Sequence, residues 1–392
     1  MNTAQVLTDK TQEILLSDDP DISKLQGRVE KALNLSPEEA RIFIYQVVLQ
    51  LNSAYFTPVT SLELVLTEGC NLACTYCFEK NMLKYRQMSH AICLAAVNLL
   101  FDYSRNEPQL FITYFGGEPL LNFSAVQYVT EYAEWKATLL GKSLNFNMTS
   151  NGVLLTETMA NYLAQHKINV LLSVDGLEPT HNRFRVDKDG RGTFEQVMKG
   201  FRILKRTQSW VGVKITVMPE NVSNLFGDVL GLYGMGVNQF IIGYATGVKW
   251  SEEDKKLYRD RMSELFQWYK EKSSKDLRIT DFDDTNKGSA YFGCRAGRNS
   301  LSVSVDGQIS PCSKVLALDN RRLLGKLGDV HYGLTHPKNR FELASCTQLR
   351  AACENRGIAA DFKGGCFASN YEENNDLFVP SMEHYAFSKL KP

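Results

Sequence analysis

The residues best suited to chemistry in this chain are three cysteines, Cys70, Cys74 and Cys77, spaced as C-x3-C-x2-C. Soft thiolate ligands are typical of iron–sulfur clusters. Three of them can hold three irons of a four-iron cluster and leave the fourth iron open to a further ligand. An open metal position indicates catalysis, because a structural site closes its coordination sphere.

Three other roles for these cysteines are open on their spacing alone. Structural zinc usually takes four ligands, and no histidine lies near the three thiols in the sequence. A disulfide framework is typical of small secreted domains, whereas this chain has 392 residues and nine cysteines, an odd number. Three buried core cysteines are the remaining alternative. The strand-like run before the cysteines and the motifs after them favour the cluster.

The composition is that of an ordinary globular chain, with 44% hydrophobic and 22% charged residues. The length allows two or three domains. Lys plus Arg and Asp plus Glu each total 44, which argues against nonspecific nucleic-acid binding. The N-terminus is polar and acidic rather than signal-like, and no run of about eighteen apolar residues predicts a membrane span. With nine cysteines, these features favour a reducing cytoplasm.

Strand-like and helix-like runs alternate from residue 62 onward. Such alternation predicts right-handed crossovers and an α/β fold with a parallel sheet. The pattern alone does not separate a partial barrel from a doubly wound sheet. The candidate strands are 62–67, 110–115, 144–150, 168–175, 212–218 and 239–244, and the helical patterns lie near 89–104, 123–139, 156–165, 194–207, 222–234 and 251–272.

Two further segments flank this region, and they divide the chain into 1–58, 59–280 and 281–392. The first segment predicts a small helical extension that packs on the main domain, with Ser36 capping a helix and Pro37 at its first position. A polar stretch around 275–290 suggests the second boundary.

The cysteine spacing, with the aromatic Tyr76 before the third cysteine, resembles the signature of the radical S-adenosylmethionine (radical SAM) superfamily. This resemblance implies a partial (β/α)6 TIM-type barrel with its active site at the C-terminal ends of the strands. It also implies a [4Fe–4S] cluster on Cys70, Cys74 and Cys77 whose open iron binds S-adenosylmethionine. The resemblance covers about residues 60–370.

Further motifs follow the next three candidate strands. Gly116, Gly117 and Glu118 resemble the GGE motif, which in the family contacts the amino group of S-adenosylmethionine. Glycines let the backbone approach a ligand closely, and Glu118 could accept hydrogen bonds from an ammonium. Segments ending the third and fourth strands resemble those near the cofactor's ribose and carboxylate in the family. They add Ser150 and Ser173 to the predicted cofactor site.

The run after the fourth strand departs from the family pattern at one position. The family often continues with His-Asp-x-x-Arg, and here Asn182 stands in place of the Asp, between His181 and Arg185. Arg185 could bind a carboxylate through two hydrogen bonds. Arg185 and Tyr76 complete the predicted cofactor-binding residues, and no catalytic side chain is assigned.

A second group of cysteines lies near the C-terminus. The pattern C-x12-G-x4-C, from Cys294 through Gly307 to Cys312, resembles the opening of the SPASM/twitch extension of radical SAM maturases, but the C-x2-C pair of the full pattern is missing. Alternation around Asp306–Gly307 predicts a β-hairpin between the two cysteines. The further cysteines of this region are Cys346, Cys353 and Cys366.

These five cysteines supply four ligands for one cluster and one spare thiol. The resemblance therefore implies at least one auxiliary [4Fe–4S] cluster, with structural zinc as the alternative. Two fully cysteine-ligated clusters would need about eight ligands, so a second cluster would have open or non-cysteine positions. The ninth cysteine, Cys93, lies on an apolar helical face and is predicted to be a core residue.

The resemblance implies an enzyme that cleaves S-adenosylmethionine reductively to a 5′-deoxyadenosyl radical, which abstracts hydrogen from a residue of a ribosomally made precursor peptide. The product would carry a crosslink, a thioether, an epimerised residue or an excised backbone fragment. The implied partners are the peptide, a separate leader-binding protein and a flavodoxin- or ferredoxin-type reductant.

Three alternatives remain. Sulfatase maturation is the first, although such relatives usually place an Asp directly after the cysteine where this chain has Ser313. The second is a small-molecule twitch dehydrogenase. The third is a noncatalytic iron–sulfur or zinc scaffold, which predicts that no 5′-deoxyadenosine forms.

Overall fold

The computed structural model describes residues 11–17, 20–272, 276–282, 292–318 and 325–389. Within these ranges, ten strands join in one sheet. The strands are β1 (Ser61–Val65), β2 (Gln109–Phe115), β3 (Ser143–Ser150), β4 (Ile168–Ser173), β5 (Val211–Val217), β6 (Gln239–Tyr244), β7 (Arg278–Ile279), β8 (Ser300–Val303), β9 (Gln308–Ser310) and β10 (Gly328–Asp329).

The sheet is mostly parallel, with the strand order β10-β9-β8-β1-β2-β3-β4-β5-β6-β7. Strands β1 to β7 are all parallel to their neighbours, and β8 adds to the free edge of β1, also in parallel. The hairpin β8–β9 and the pair β9–β10 are antiparallel. The first six strands therefore form the predicted partial (β/α)6 barrel, and the C-terminal region extends the same sheet.

Helices connect the parallel strands and cover one face of the sheet. They supply the crossovers that parallel neighbours require. The helices are α1 (Ile22–Leu33), α2 (Pro37–Tyr55), α3 (His90–Ser104), α4 (Phe123–Leu140), α5 (Glu157–Gln165), α6 (Glu178–Phe184), α7 (Phe194–Thr207), α8 (Leu225–Gly234), α9 (Glu252–Lys272), α10 (Ser313–Leu316), α11 (Pro337–Ser345), α12 (Thr347–Asn355), α13 (Phe367–Asn374) and α14 (Met382–Ser388).

The two faces of the sheet differ in polarity. Alternate residues of each strand, such as Ile112 and Tyr114 of β2, are fully buried in the main core, and the Tyr114 hydroxyl lies 2.6 Å from Thr130 Oγ1 of α4. Successive side chains of a strand point to opposite faces. The residues between them, such as Glu63 of β1 and Lys214 of β5, therefore point to the concave face.

The N-terminal extension packs against both the barrel and the C-terminal region. Helix α2 begins with a capping box, in which Glu39 N donates to Ser36 Oγ and Ser36 N donates to Glu39 Oε2, so the predicted cap is confirmed. At its other end, Asn52 accepts a hydrogen bond of 2.9 Å from the buried Arg340 of α11. Removal of this extension would leave the Arg340 guanidinium with an unpaired donor.

The six predicted strands and the helices between them are confirmed, with bounds that differ by at most three residues and in two cases agree fully. The predicted hairpin around Gly307 is confirmed as β8–β9, and Cys93 is fully buried in the core. The helices α6 and α10 to α14 were not predicted. The division at residues 58 and 280 stays a prediction, and much of the polar stretch around 275–290 lies outside the described residues.

Candidate functional site

The cysteine loop after β1 is held on both sides. On one side, Gly69 O accepts a hydrogen bond of 2.8 Å from Glu118 N in the turn after β2. On the other side, Ala73 N and Thr75 N donate to carbonyl oxygens of the segment 184–186 at 2.8 and 2.9 Å. The loop is clamped between two neighbours, so its backbone is positioned without help from the thiols.

The three thiols of this loop are free and half-buried. Burial raises the pKa of Cys70 to about 12 and that of Cys77 to about 11, and it raises the pKa of Cys74. The neighbouring thiols of Cys74 and Cys77 add to the shift at Cys70, which indicates that the three groups lie close together. A bound cationic centre would stabilise them as thiolates, so this donor set suits an iron–sulfur cluster.

A single zinc ion finds less support. Among the described residues, no three His, Cys, Asp or Glu side chains are grouped so that they could hold one metal ion. One zinc would hold its sulfurs within about 4 Å of each other. A four-iron cluster is larger than one zinc ion and spreads its thiolate ligands more widely.

The glycine pair after β2 makes a very close backbone approach to the cysteine loop. Gly116 has a φ of +95°, which favours glycine. A Cβ atom on Gly117 would lie 2.0 Å from the carbonyl oxygen of Gly69. Both positions therefore require glycine on structural grounds. Their predicted contact with a cofactor stays a prediction.

Glu118 lies fully buried below this turn. Its Oε1 accepts hydrogen bonds from Leu120 N at 3.0 Å and from Ser150 Oγ at 2.8 Å, and its Oε2 accepts one from Asn151 N at 2.7 Å. Burial raises the pKa of Glu118 to about 7, and these donors oppose the shift. The structure thus joins the two predicted residues Glu118 and Ser150 by a hydrogen bond, which links the turn after β2 to the end of β3.

Arg185 belongs to a buried network beside the thiols. Its Nε donates to Asp175 Oδ2 at 2.9 Å, and the Tyr76 hydroxyl donates to the same oxygen at 2.5 Å. The guanidinium carbon lies 5.3 Å from the centre of the Tyr76 ring, and Nη1 lies 4.0 Å from Cys74 Sγ. Asp175 also accepts a hydrogen bond from Thr216 N at 3.0 Å. The carboxylate therefore orients both predicted side chains, Arg185 and Tyr76, next to the cysteine loop.

Two residues of this site were not predicted individually. Asp175 holds the network just described, and Asn151 Nδ2 lies 3.9 Å from Cys70 Sγ and 2.9 Å from Asn71 Oδ1. Both lie in the predicted strand-end segments, next to the serines that were chosen. Of those serines, Ser173 is half-buried and pairs in register with Lys214 of β5.

Four of the five C-terminal thiols lie near enough for their charges to affect one another. Burial raises the pKa of Cys294 to about 11, and the thiols of Cys366 and Cys346 add to this shift. Burial raises the pKa of Cys312 to about 12, and the thiols of Cys366 and Cys294 add to it. A Cβ atom on Gly293 would lie 2.4 Å from Cys346 Sγ, so that thiol packs directly against the backbone beside Cys294.

Cys353 stands apart from this group. Burial raises the pKa of its thiol, and the charged groups that act on it are Arg356 and Glu354 rather than other thiols. It lies on α12, whose buried residues are Leu349 and Cys353 itself. The prediction that these cysteines hold an auxiliary cluster stays a prediction, and Cys353 lies outside the mutual influence of the other four thiols.

The two thiol groups are linked through β1. Ser313, which follows Cys312, donates from its backbone N to Glu63 Oε1 at 2.9 Å. Glu63 lies on the strand that leads into the cysteine loop, and burial raises the pKa of its carboxyl group. This carboxylate lies beside Ser313, where sulfatase-maturase-like relatives usually carry an Asp.

The fold and the thiol site agree with the comparisons to known proteins. Residues 64–226 match the family model of the radical SAM superfamily. The radical SAM cyclopropyl synthase TigE of Paramaledivibacter caminithermalis is 22% identical over 331 residues, which are 79% of this chain and 67% of that protein. The chain spans 34% to 59% of the length of several other curated relatives, among them anaerobic sulfatase-maturating enzymes.

Two solved structures share the fold. The enzyme anSMEcpe with bound AdoMet has a TM-score of 0.67 at 20% identity, covering 85% of this chain and 98% of its own. Streptococcus suis SuiB bound to its precursor peptide SuiA has a TM-score of 0.60 at 15% identity, covering 89% and 84%. None of the helices in the described ranges combines the length and hydropathy needed to cross a bilayer.

The parallel barrel with three thiols at the end of its first strand defines a radical SAM domain. Residues 64–226 of this chain match the radical SAM superfamily, whose members use an iron–sulfur cluster and S-adenosylmethionine. It is related to sulfatase maturases and to enzymes that modify ribosomally made peptides.

Proposed function

We propose that this radical SAM enzyme abstracts hydrogen from a residue of a ribosomally made precursor peptide. The observation that supports it most is the meeting of the clamped three-thiol loop with the Gly116–Gly117 turn and the Asp175–Arg185 pair at the C-terminal ends of the strands. Cys70, Cys74 and Cys77 would hold the [4Fe–4S] cluster. When bound, the cluster supplies the electron that cleaves S-adenosylmethionine to the 5′-deoxyadenosyl radical.

The side chains of the site would position the cofactor. Gly117 packs its backbone directly against Gly69, so the turn after β2 is placed beside the thiols that would hold the cluster. Arg185 is fixed through Nε by Asp175, its Nη1 lies beside Cys74, and its guanidinium could donate to a carboxylate of the cofactor. The Tyr76 ring lies against the Arg185 guanidinium and helps to hold it in place.

A peptide substrate is supported by the relatives. SuiB is known in complex with its precursor peptide, anSMEcpe with a peptide, and TigE is a cyclopropyl synthase. A separate leader-binding protein and a flavodoxin- or ferredoxin-type reductant would complete the system. An auxiliary cluster on Cys294, Cys312, Cys346 and Cys366 would accept an electron or bind the substrate.

The test is the formation of 5′-deoxyadenosine by protein that has been reconstituted anaerobically and given a reductant and S-adenosylmethionine. We expect turnover in the wild type and its loss in the Cys70→Ala, Cys74→Ala, Cys77→Ala variant. The matched control is Cys93→Ala, which changes a thiol that is fully buried in the core. A wild-type protein that binds iron and forms no 5′-deoxyadenosine would support the scaffold alternative instead.

Sulfatase maturation is the second candidate, because Glu63 places a carboxylate beside Ser313 and several relatives are sulfatase-maturating enzymes. A peptide that carries a sulfatase modification sequence distinguishes the two. Conversion of its Cys or Ser to formylglycine would favour sulfatase maturation. Turnover only with a precursor peptide encoded beside this chain would favour the first proposal.

A further inference from the structure

The concave face of the sheet is polar along β5. Val213 and Ile215 are fully buried on the helix side, so Lys214, which lies between them, points to the concave face. Its register partners are Ser173 of β4 and Ile241 of β6. The Lys214 ammonium thus lies inside the partial barrel, on the side away from the helices.

This ammonium has no ion-pair or hydrogen-bond partner within the part of the chain that the structure describes. Asp175, which follows β4, is a nearby acid. Its two carboxylate oxygens already accept hydrogen bonds from Arg185, Tyr76 and Thr216. Asp281 contributes only a longer-range attraction, and its Oδ2 accepts a hydrogen bond of 2.8 Å from Ile242 N. Burial lowers the pKa of Lys214 and these acids oppose the shift. A half-buried cation without a contacting anion is unfavourable unless a ligand supplies the anion.

The other cations around Lys214 are neutralised. Arg185 pairs with Asp175 at 2.9 Å, and Lys314 of α10 pairs with Glu372 at 3.0 Å. Both repel Lys214, and the anion of a ligand would offset that repulsion. The neighbouring strand offers room, because Gly243 has no side chain and a Cβ there would lie 3.9 Å from Lys214 Nζ.

The position of Lys214 favours a role in binding the substrate over a structural role. Arg185, on one side, lies next to Cys74 of the first thiol group. Lys314, on the other side, lies two residues after Cys312 of the second group. The ammonium is therefore close enough to both cations to be repelled by them, and it lies on the concave face of the sheet.

We propose that Lys214 binds a carboxylate of the substrate and so selects peptides that present one at the reacting position. The carboxylate belongs either to an Asp or Glu side chain or to the C-terminus of the peptide. The inference rests on the proposed function only in taking the ligand to be a peptide. Its test measures binding at Lys214 and needs no turnover, so its failure can be told apart from failure of that function.

The test is the rate at which an amine-reactive ester acylates Lys214 in the reconstituted holoprotein, followed by peptide mapping in a mass spectrometer. Three related probes are added in turn at saturating concentration. N-acetylglutamate α-amide carries a side-chain carboxylate, N-acetylglutamine carries an α-carboxylate, and N-acetylglutamine α-amide carries neither. The internal reference is Lys205, which lies on α7 and donates to Asn238 at 3.3 Å.

We expect one of the two carboxylate probes to slow acylation of Lys214 about tenfold, because a contacting opposite charge raises an amine pKa by about one unit or more. The neutral probe and Lys205 should show no change. Protection by the first probe identifies a side-chain carboxylate, and protection by the second identifies a peptide C-terminus. Equal rates with all three probes, or protection by S-adenosylmethionine alone, would overturn the proposal.

Two variants supply an independent measurement. In equilibrium dialysis, Lys214→Met should lose at least about tenfold in affinity for the protective probe, whereas Lys214→Arg should retain it. The matched control Lys205→Met should bind as the wild type does. Lys214→Met should also melt at or above the wild-type temperature, because it removes an unpaired buried charge. A large loss of stability would instead indicate a structural cation and contradict the proposal.

Discussion

The closest contact of the candidate site can be tested by adding one methyl group. In Gly117→Ala, the new Cβ would lie 2.0 Å from the carbonyl oxygen of Gly69 and 2.6 Å from its carbonyl carbon. Protein Cβ contacts shorter than 3.0 Å essentially do not occur, so the two backbones must separate by about 1 Å or more. The neighbour that would move carries Cys70, the first of the three thiols.

The size of the effect follows from this displacement. Overpacking of this kind costs about 1 to 3 kcal/mol of folding stability, which a chain of this length can tolerate. A shift of about 1 Å at a reacting centre lowers the rate about hundredfold. We therefore expect Gly117→Ala to fold and bind iron, and to form 5′-deoxyadenosine about hundredfold more slowly than the wild type does.

The assay combines the initial rate of 5′-deoxyadenosine formation with the electron paramagnetic resonance spectrum of the reduced protein, with and without S-adenosylmethionine. The matched control is Gly227→Ala on α8, where a Cβ would meet nothing within 4 Å. That variant should behave as the wild type does and gain slight stability, because alanine is the better helix former. A Gly117→Ala protein with the wild-type rate and the wild-type spectral response would refute the assigned role of this turn.

Three more predictions concern other parts of the molecule. In a protein that lacks the first three thiols, Cys353→Ala should keep about four irons per chain by chemical analysis, whereas Cys312→Ala should lose them. Burial lowers the pKa of His181 from 6.5 to about 4, so the free energy of unfolding should fall by up to about 3 kcal/mol between pH 6.5 and pH 4 in urea titrations, and His181→Gln should remove this dependence. Asp175→Ala should lower the free energy of unfolding by about 3 to 5 kcal/mol in the same titrations, because it leaves the Arg185 guanidinium buried without its partner.

Each of these has a control and a contrary outcome. Iron loss in both cysteine variants would mean that Cys353 is also a ligand. The free energy of unfolding falls toward acid pH because His181 binds a proton more readily in the unfolded state than in the folded state. The contribution of neutral His181 to stability is therefore fully present above pH 6.5 and is lost as the pH falls toward 4. The exposed His90→Gln should leave that pH dependence intact. An Asp175→Ala protein as stable as the wild type would show that Arg185 is solvated rather than buried.

The barrel strands could be predicted because their signals are local. Each is a short run of β-branched and apolar residues that ends at a turn residue, and the helix pattern follows directly. The C-terminal helices α10 to α14 escaped prediction because each has only 4 to 9 residues, which is too short for a repeating apolar stripe to show in the sequence. The join of β8 to β1 also escaped prediction, because it pairs residues that are far apart in sequence, Ser61 with Ser300.

The candidate site could be predicted at the level of segments and less well at the level of side chains. The spacing of Cys70, Cys74 and Cys77 is itself a chemical signal, and so is the glycine pair. Whether Ser150 or Asn151 faces the cysteine loop depends on how β3 ends, and that is set by the buried Glu118 rather than by the local sequence. The sequence likewise shows Asp175 only as one residue of a turn. Its role depends on the contact with Arg185, which forms only in the folded chain.

The shared strand β1 links the two thiol groups in a way that bears on the proposed chemistry. β1 ends in the first cysteine loop, and β8 pairs with it in parallel before the hairpin leads to Cys312. Glu63 closes the link, because its carboxylate accepts from the backbone of Ser313. The separation of the two groups is therefore set by a few residues of sheet rather than by a flexible linker. A fixed separation with a polar concave face between the groups is what transfer of an electron through a bound peptide would require.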